Sequence, residues 1–444
     1  MSISNLFASP ALKLAGIGFL ILLLLIPLAL VDDLRQERES RRDQVVAEIS
    51  HSVGGEQTVY APVLRVPFIS DVYGADGKIT GRAERHWLFA AQDLTANSSL
   101  KMEARRRGIF EVPVYVAEHD LKGTFAFDAK AVAGIVGEPI LGRAELLLPI
   151  SAARALRKLD LELDGKPLPL GAGADAVSEL SAFAAPVSDF SFDKTIAFKL
   201  SIAATGAQSL DFVPLAANTE VRIDVPWPHP SFRGNFLPSE RKIGDAGFQA
   251  HWQVLAFNRE IPAFWPADQN LAGTLGKTYF GVAFVEPVDV YFLNHRSAKY
   301  GFLFLVLTFA AFFLFETLGR SRVHAIQYLL VGAALAVFYL VLLACSEHFG
   351  FAMSYLLAAA SMGLMISAYA AAVMRSLKRA AVIGLWLGVL YAALYVMINL
   401  EDFALLMGAV LTALMLALAM FLTRRVDWYG GAANERQPPV EIPN

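Results

Sequence analysis

The sequence is poor in cysteine and in charge. Cys345 is the one cysteine among 444 residues, which excludes a disulfide scaffold and any cysteine-rich zinc or iron–sulfur site. Charged residues make up only 18% of the chain, against about 25% in a typical soluble domain. The 38 basic and 41 acidic residues give a net charge of −3, so the chain lacks the basic excess that nucleic-acid binding requires.

The common catalytic signatures are also missing. The chain contains no GxSxG, HExxH, P-loop or GxGxxG motif, and each of these would carry a recognisable chemistry. Cys345 follows a long apolar stretch, whereas a nucleophilic cysteine needs electropositive, accessible surroundings. We therefore assign no catalytic, cofactor-binding or metal-binding residue, and we expect a protein that is not an enzyme and needs no cofactor.

Hydrophobic residues, by contrast, make up 55% of the chain, and the mean hydropathy is +0.46. They are concentrated in runs close to the ~20 residues that cross ~30 Å of hydrocarbon. Helices satisfy their own backbone groups in lipid, so the runs predict six transmembrane helices, one N-terminal and five C-terminal. The runs are 14–31, 300–318, 326–345, 352–374, 381–398 and 403–422.

The five C-terminal runs contain a single formal charge, Glu316. A charge near the middle of a transmembrane helix costs ~2.5–3.5 kcal/mol on insertion scales, so this scarcity supports the prediction. Glu316 is a candidate functional group. Alternatively it pairs with Arg320 one turn further along the helix.

The segment between the first two runs has ordinary charge and a period-two pattern. Apolar and polar residues alternate over 110–116 and 159–164, which is typical of half-buried strands. A further strand is predicted over 279–292. Asp164-Gly165 predicts a tight hairpin turn, and 33–50 predicts a helix that continues the first transmembrane helix. We expect an α+β membrane protein with a large β-rich extracytoplasmic domain, organised as an antiparallel sandwich.

Short-loop charges predict the orientation of the helices. Lysine and arginine in short loops stay in the cytoplasm, and seven such residues fall on one side of the membrane if the helices alternate. Both termini are then cytoplasmic and the β-rich domain is periplasmic. The predicted divisions are an anchor (1–32), the periplasmic domain (33–298), a five-helix bundle (299–423) and a cytoplasmic tail (424–444). The seven residues are Arg320, Arg322, Arg375, Lys378, Arg379, Arg424 and Arg425.

The first apolar run carries a conflicting signal. Lys13 precedes it, and several arginines, Arg35 and Arg38 among them, follow it, which taken alone would place the next domain inside. Long domains translocate largely regardless of charge, so we give more weight to the other helices. The run is longer than a signal-peptide core and lacks a good cleavage site, which predicts a retained anchor.

One polar group lies at the predicted outer face. Glu347 and His348 end the third helix, and Glu401 with Asp402 links the fifth and sixth helices. These residues are a candidate ion or acid–base site if they gather at one depth. The alternative is that they lie separately among lipid headgroups, where charge costs little.

Several segments, in order along nearly the whole chain, resemble the CreD family of inner-membrane proteins. The resemblance implies a Gram-negative inner-membrane protein with a periplasmic domain, control by a two-component sensor and a role in cell-envelope integrity. It supplies no catalytic residues. The segments are GIFEVPVYV (108–116), FRGNFLPSERKI (232–243), FGVAFVEPVDV (280–290), KYGFLFLVLTFAAFFLFE (299–316), QYLLVGAALAVFYLVLLACSEHFGF (327–351) and 401–429.

Three functions remain open from the sequence. The first is a non-enzymatic envelope protein whose exported domain binds an envelope component or protein and whose helices contact the lipid bilayer. The second is a transporter or channel component, and the third is an intramembrane enzyme. The last two would use Glu347, His348, Glu401 and Asp402, although the apolar runs bury fewer charges than ion-coupled pumps do.

Overall fold

The computed structural model describes residues 10–73, 76, 78–177, 180–284, 289–319, 323–400 and 403–424. Contacts between residues divide the chain into a helical unit (Met1–Arg41 with Val288–Asn444) and a sheet-rich unit (Arg42–Pro287). The combination of apolar helices with a large sheet-rich region confirms the predicted mixed architecture. The predicted domain limits at 33 and 298 stay predictions.

The chain begins with one long helix, α1 (Pro10–Val53), which includes Pro27. Its first half is apolar, and its second half carries ion pairs one turn apart, from Asp32 to Arg35 and from Arg35 to Glu39. Such pairs stabilise an exposed helix. The predicted helical continuation beyond the first apolar run is therefore confirmed.

Strands dominate the sheet-rich unit, which also has two short helices. In chain order the elements are β1 (Gln57–Tyr60), β2 (Val63–Tyr73), β3 (Ile79–Ala90), β4 (Asp93–Arg107), β5 (Phe110–Phe125), α2 (Ala129–Ala133), β6 (Glu138–Pro139), β7 (Glu145–Pro149), β8 (Leu156–Leu163), β9 (Lys166–Pro167), β10 (Gly171–Val177), β11 (Leu180–Pro186), β12 (Ile196–Ala207), β13 (Ser209–Val213), β14 (Asn218–Val225), β15 (Pro230–Gly234), β16 (Glu240–Gly244), β17 (Gly247–Leu255), β18 (Phe264–Pro266), α3 (Ala272–Lys277) and β19 (Phe280–Phe284).

The described strands form three sheets. One has the order β1-β13-β19-β15, a second β10-β11-β7-β2-β3-β18 with β6 beside β2, and a third β16-β17-β14-β4-β5-β12-β8-β9. Two pairs, β1 with β13 and β14 with β4, are parallel, unlike the all-antiparallel pairing that the hairpin signals predict. All three sheets contribute to one hydrophobic core, which includes Phe68, Trp252 and Phe280.

One predicted hairpin is confirmed, and one predicted strand is too long. β8 and β9 pair across Asp164 and Gly165, both with positive φ, and β9 lies at the sheet edge. The strand predicted over 279–292 ends at Phe284. A helix capped by Asp289 begins at Val290, because an N-cap carboxylate satisfies free N–H groups of the first turn.

The described residues of the C-terminal part of the helical unit form six helices, some much more apolar than others. Four described helices (α1, α6, α7 and α8) are long and apolar enough to span a membrane, and the pair α4–α5, bent by 44°, brings the number to five. In α9 the apolar stretch is Leu405–Leu414. The helices are α4 (Val290–Lys299), α5 (Gly301–Gly319), α6 (Ala325–Phe349), α7 (Phe351–Met374), α8 (Leu377–Asn399) and α9 (Ala404–Thr423).

The apolar half of α1 packs into this bundle. Leu24 and Leu28 are buried in the same hydrophobic cluster as residues of α5 to α8. At Gly332 of α6, an added Cβ would lie 2.1 Å from the Leu24 Cδ1 atom, so glycine is what lets the two helices approach. Small residues have this role at transmembrane helix contacts.

Candidate functional site

The centre of the candidate site is Glu347, near the C-terminal end of α6. The Arg38 guanidinium of α1 binds its carboxylate through two bonds, Nε to Oε1 at 2.7 Å and Nη2 to Oε2 at 2.8 Å. The Glu347 side chain is only 9% exposed. A two-pronged arginine–carboxylate bond fixes direction as well as distance, so this ion pair holds α1 and α6 in one register.

A third donor reaches the same carboxylate from α4. The Tyr291 hydroxyl donates to Oε1 of Glu347 at 2.8 Å, and Tyr291 itself is buried. Asp289 positions this tyrosine, because its carboxylate caps α4 by accepting from the Tyr291 N–H at 2.9 Å. Glu347 therefore accepts hydrogen bonds from two different helices.

Neighbouring polar residues extend these contacts. Asn294 of α4 donates to the Ser346 Oγ atom at 2.9 Å, and both side chains are buried. His295 Nδ1 lies 3.2 Å from Oδ1 of Asp32 in α1, a carboxylate that also accepts from Arg35. Together these contacts connect α4 to both α1 and α6.

One other predicted member of the site lies within the described residues. His348 is exposed, because consecutive residues of a helix project about 100° apart. Glu401 and Asp402 lie outside the described residues. The described part of the site thus pairs Glu347 with Arg38 and Tyr291, two residues that sequence reasoning did not assign to it.

A second ion pair joins the N-terminal end of α1 to α5. Lys13 binds the carboxylate of Glu316 in α5. The same carboxylate accepts from the Val323 N–H at 2.9 Å and from the Tyr328 hydroxyl at 3.1 Å. The predicted alternative partner, Arg320, lies outside the described residues. Glu316 is buried, and its donors come from α1, α6 and the segment before α6.

The sheet-rich unit buries an ion cluster of its own. Asp211 of β13 and Arg233 of β15 both pair in register with Gly281 of the intervening strand β19. The two side chains meet over that glycine, where an added Cβ would lie 2.5 Å from Oδ1 of Asp211. Arg233 also donates to Glu56 at 2.8 Å. Burial raises the pKa of the Asp211 carboxyl, and the Arg233 guanidinium opposes that rise.

Four of the seven predicted orientation residues lie within the described part of the chain, and all four are exposed. Arg375 follows α7 with a left-handed φ of 48°, and Ser376 then caps α8. The remaining three, Arg320, Arg322 and Arg425, lie outside the described residues. The exposed four are Arg375, Lys378, Arg379 and Arg424.

The described residues provide no ligand set for a metal ion. Among the described residues, no group of three or more histidine, cysteine, aspartate or glutamate side chains could hold a metal ion. The carboxylate of Glu347 is occupied by Arg38 and Tyr291 instead. In the described part of the chain, the arrangement is suited to joining helices through fixed charges.

Comparison with known proteins gives a consistent family. A profile described as "Inner membrane protein CreD" matches residues 9–429. The chain is also 31% identical to "Inner membrane protein CreD" of Escherichia coli (strain K12) over 436 residues, which covers 97% of this chain and 96% of the relative. This chain belongs to the CreD family.

Among solved structures, a similarity to "yeast LTA4 hydrolase in complex with Bestatin" has a TM-score of 0.20 and 12% identity, over 46% of this chain and 30% of that one. A score of this size gives no support to a shared fold. The CreD family match instead confirms the resemblance on sequence, and it identifies an inner membrane protein with apolar helices in contact with lipid. Glu316, Glu347, Lys13 and Arg38 all lie within the matched residues.

Proposed function

We propose that this CreD-family protein crosses the inner membrane six times with both termini in the cytoplasm. Its sheet-rich unit, a sandwich of mainly antiparallel sheets, would then lie in the periplasm. There it binds an envelope component or protein and supports envelope integrity without catalysis. In chain order, the second span is the bent pair α4–α5 and the sixth is α9.

The ion pairs of α1 support its place as a retained span. Lys13 and Arg38 are 25 positions apart in one helix, which corresponds to about 37 Å at 1.5 Å per residue. A bilayer with its polar interfaces is ~40–45 Å thick. Each ion pair would therefore lie near one membrane surface, where burying a charge costs least. The packing of Leu24 against Gly332 supports the same assignment.

The observation that carries the non-catalytic proposal is the occupied carboxylate of Glu347. A general acid or an ion ligand must be able to exchange its partners, whereas Glu347 is held by the charged Arg38 and by Tyr291, which fill three of its roughly four acceptor sites. His348, its predicted partner, is exposed. These contacts favour a structural role for Glu347 over transport or intramembrane catalysis.

A charge swap tests this proposal. The double variant Arg38→Glu with Glu347→Arg removes the carboxylate from α6 but leaves opposite charges on the two helices. We expect it to restore much of the envelope integrity that either single variant loses, measured as leakage of a periplasmic reporter enzyme from cells that lack the native gene. Acid chemistry at Glu347 predicts that the swap is as defective as Glu347→Gln.

Cysteine labelling tests the orientation. In a Cys345→Ser background the chain has no native cysteine, so single cysteines can be placed at exposed Lys199 of the sheet-rich unit and at exposed Lys378. We expect a membrane-impermeant maleimide to label position 199 in intact spheroplasts and position 378 only after lysis. The reverse pattern would refute the orientation.

A further inference from the structure

Among the described strands, β16 is an edge strand that is exposed along its whole length. β16 is the first strand of the eight-stranded sheet and pairs on one side with β17. All five of its residues are exposed, and no other described strand pairs with it. In antiparallel pairing, alternate residues turn their N–H and C=O groups away from the partner strand. β16 therefore offers unpaired backbone groups to an added strand.

Open space lies beside both ends of this strand. A hollow of about 980 Å³ is lined by Glu240, Arg241 and Lys242 together with residues of β4, β5, β14 and β17. A second hollow, of about 490 Å³, lies beside Lys242, Ile243 and Gly244. The described part of the chain therefore leaves the face of the sheet next to β16 uncovered.

The side chains of β16 indicate which strand would fit. Lys242 has no ion-pair partner among the described residues, whereas Arg222 on β14, two strands away, is paired with Glu220. Ile243 is an exposed apolar residue, 52% accessible. Successive strand residues point to opposite faces of a sheet, so Glu240 and Lys242 share one face, and Arg241 and Ile243 share the other. A complementary strand would place an acidic residue beside Lys242 on one face and an apolar residue beside Ile243 on the other.

We propose that β16 binds an extended acidic segment of a partner polypeptide by β-strand addition. Main-chain hydrogen bonds would supply affinity, and the charge of Lys242 would supply selectivity. Edge strands often carry lysine to prevent unwanted pairing. Here the same charge would exclude basic strands and admit acidic ones, which is how repulsive elements create specificity.

This inference deepens the proposed binding role of the sheet-rich unit and rests on it. The test uses the purified full chain in detergent and a fluorescent heptapeptide of alternating valine and glutamate, with binding followed by anisotropy. Two control peptides separate the contributions. One carries lysine in place of glutamate, and the other is N-methylated on alternate amides along its pairing edge.

We expect the acidic peptide to bind and both control peptides to bind at least tenfold more weakly. Lys242→Glu should weaken binding of the acidic peptide at least tenfold, whereas Lys199→Glu, on strand β12 of the same sheet, should not. Hydrogen exchange should show new protection of the amides of residues 240–244. Charge reversal at exposed lysines leaves the fold intact, and tryptophan fluorescence verifies that.

Three results would overturn the proposal. They are absence of binding at millimolar peptide, equal binding of the N-methylated or lysine peptide, and protection that appears away from β16. None of these depends on membrane orientation or on envelope leakage. Failure here would therefore leave the six-span topology and the structural role of Glu347 to be judged by their own experiments.

Discussion

The two units of this protein bury ionised groups in different ways. In the helical unit, the carboxylates of Glu316 and Glu347 are each 9% exposed, and each accepts from a tyrosine hydroxyl besides its cation. In the sheet-rich unit, Asp211 is 6% exposed and accepts two hydrogen bonds from Arg233 across a glycine inside one sheet. The three cations are all about one-third exposed, so water screens the three ion pairs to a similar degree. The pairs differ instead in the hydroxyl donor that remains on the carboxylate when its cation is removed. The units should therefore respond unequally to loss of a partner.

The largest effect is expected for Arg233→Met. It leaves the buried Asp211 carboxylate without its cation, and breaking a buried pair costs about 3–5 kcal/mol. Urea unfolding of the purified chain, followed through the buried Trp252 and Trp265, measures the free energy of unfolding. Arg82→Met, which removes an exposed pair with Asp71, is the matched control and should change stability by less than about 0.5 kcal/mol. Equal losses of stability in the two variants would contradict the distinction between the buried and the exposed ion pair.

The next effect concerns pH and the buried His119 of β5. Burial lowers its pKa to about 4, and its Nδ1 atom lies 2.8 Å from the Ser98 hydroxyl. Unfolded histidine titrates near 6.5, so the unfolded state binds the extra proton first. The sheet-rich unit should then be most stable above pH 6.5 and lose up to roughly 3 kcal/mol as the pH falls to 4.

His119→Gln isolates this contribution. Glutamine retains a polar contact for Ser98 but has no proton to gain, so the variant should lose less stability between pH 7 and pH 4 than the parent. All other titratable groups are common to both proteins, so the difference between the two pH profiles reports on His119. Superimposable pH profiles of unfolding would show that His119 does not titrate as its burial predicts.

A smaller loss is expected from Arg38→Leu or Glu347→Gln in the helical unit. Because the Tyr291 hydroxyl still donates to residue 347 after either change and Arg38 is partly exposed, we estimate a loss of about 1–3 kcal/mol for each. A double-mutant cycle on thermal aggregation in detergent should give a coupling above about 0.5 kcal/mol. Additive effects would mean that the two side chains do not interact.

The smallest effect is expected at the turn between β8 and β9. Gly165 has a φ of 75°, and an added Cβ would meet no atom within 4 Å, so Gly165→Ala tests backbone strain alone. We expect a loss of about 1 kcal/mol. Gly142→Ala, at a position without positive φ and equally open, should leave the urea midpoint unchanged. An unchanged urea midpoint in Gly165→Ala would contradict the expected backbone strain at this position.

Local features of the sequence predicted local structure. The apolar runs predicted the helices, and Asp164-Gly165 predicted the hairpin, because both depend on neighbouring residues. The pairing of β1 with β13 could not be predicted, since nothing in either strand specifies a partner some 150 positions away. The strand over 279–292 was extended too far because its apolar character hid the Asp289 cap.

The candidate site follows the same rule. The sequence placed Glu347 at the outer end of a helix, but its partner Arg38 lies 309 positions away. In the sequence, Arg38 is notable only as one of the arginines that contradict the predicted orientation. A usable signal was present, because a carboxylate at the end of one span and an arginine just beyond the end of another can share one depth. The predicted gathering of Glu347 and His348 with Glu401 and Asp402 stays a prediction.

The two ion pairs of α1 restrict how this helix can move. A shift along its axis by one helical turn is about 5.4 Å, and it would separate Lys13 from Glu316 and Arg38 from Glu347 at once. Movement of α1 along its own axis is therefore resisted at both ion pairs. Pivoting about the axis between the two attachments disturbs each contact less. Any mechanical signal carried by α1 should consequently travel as tilt or twist.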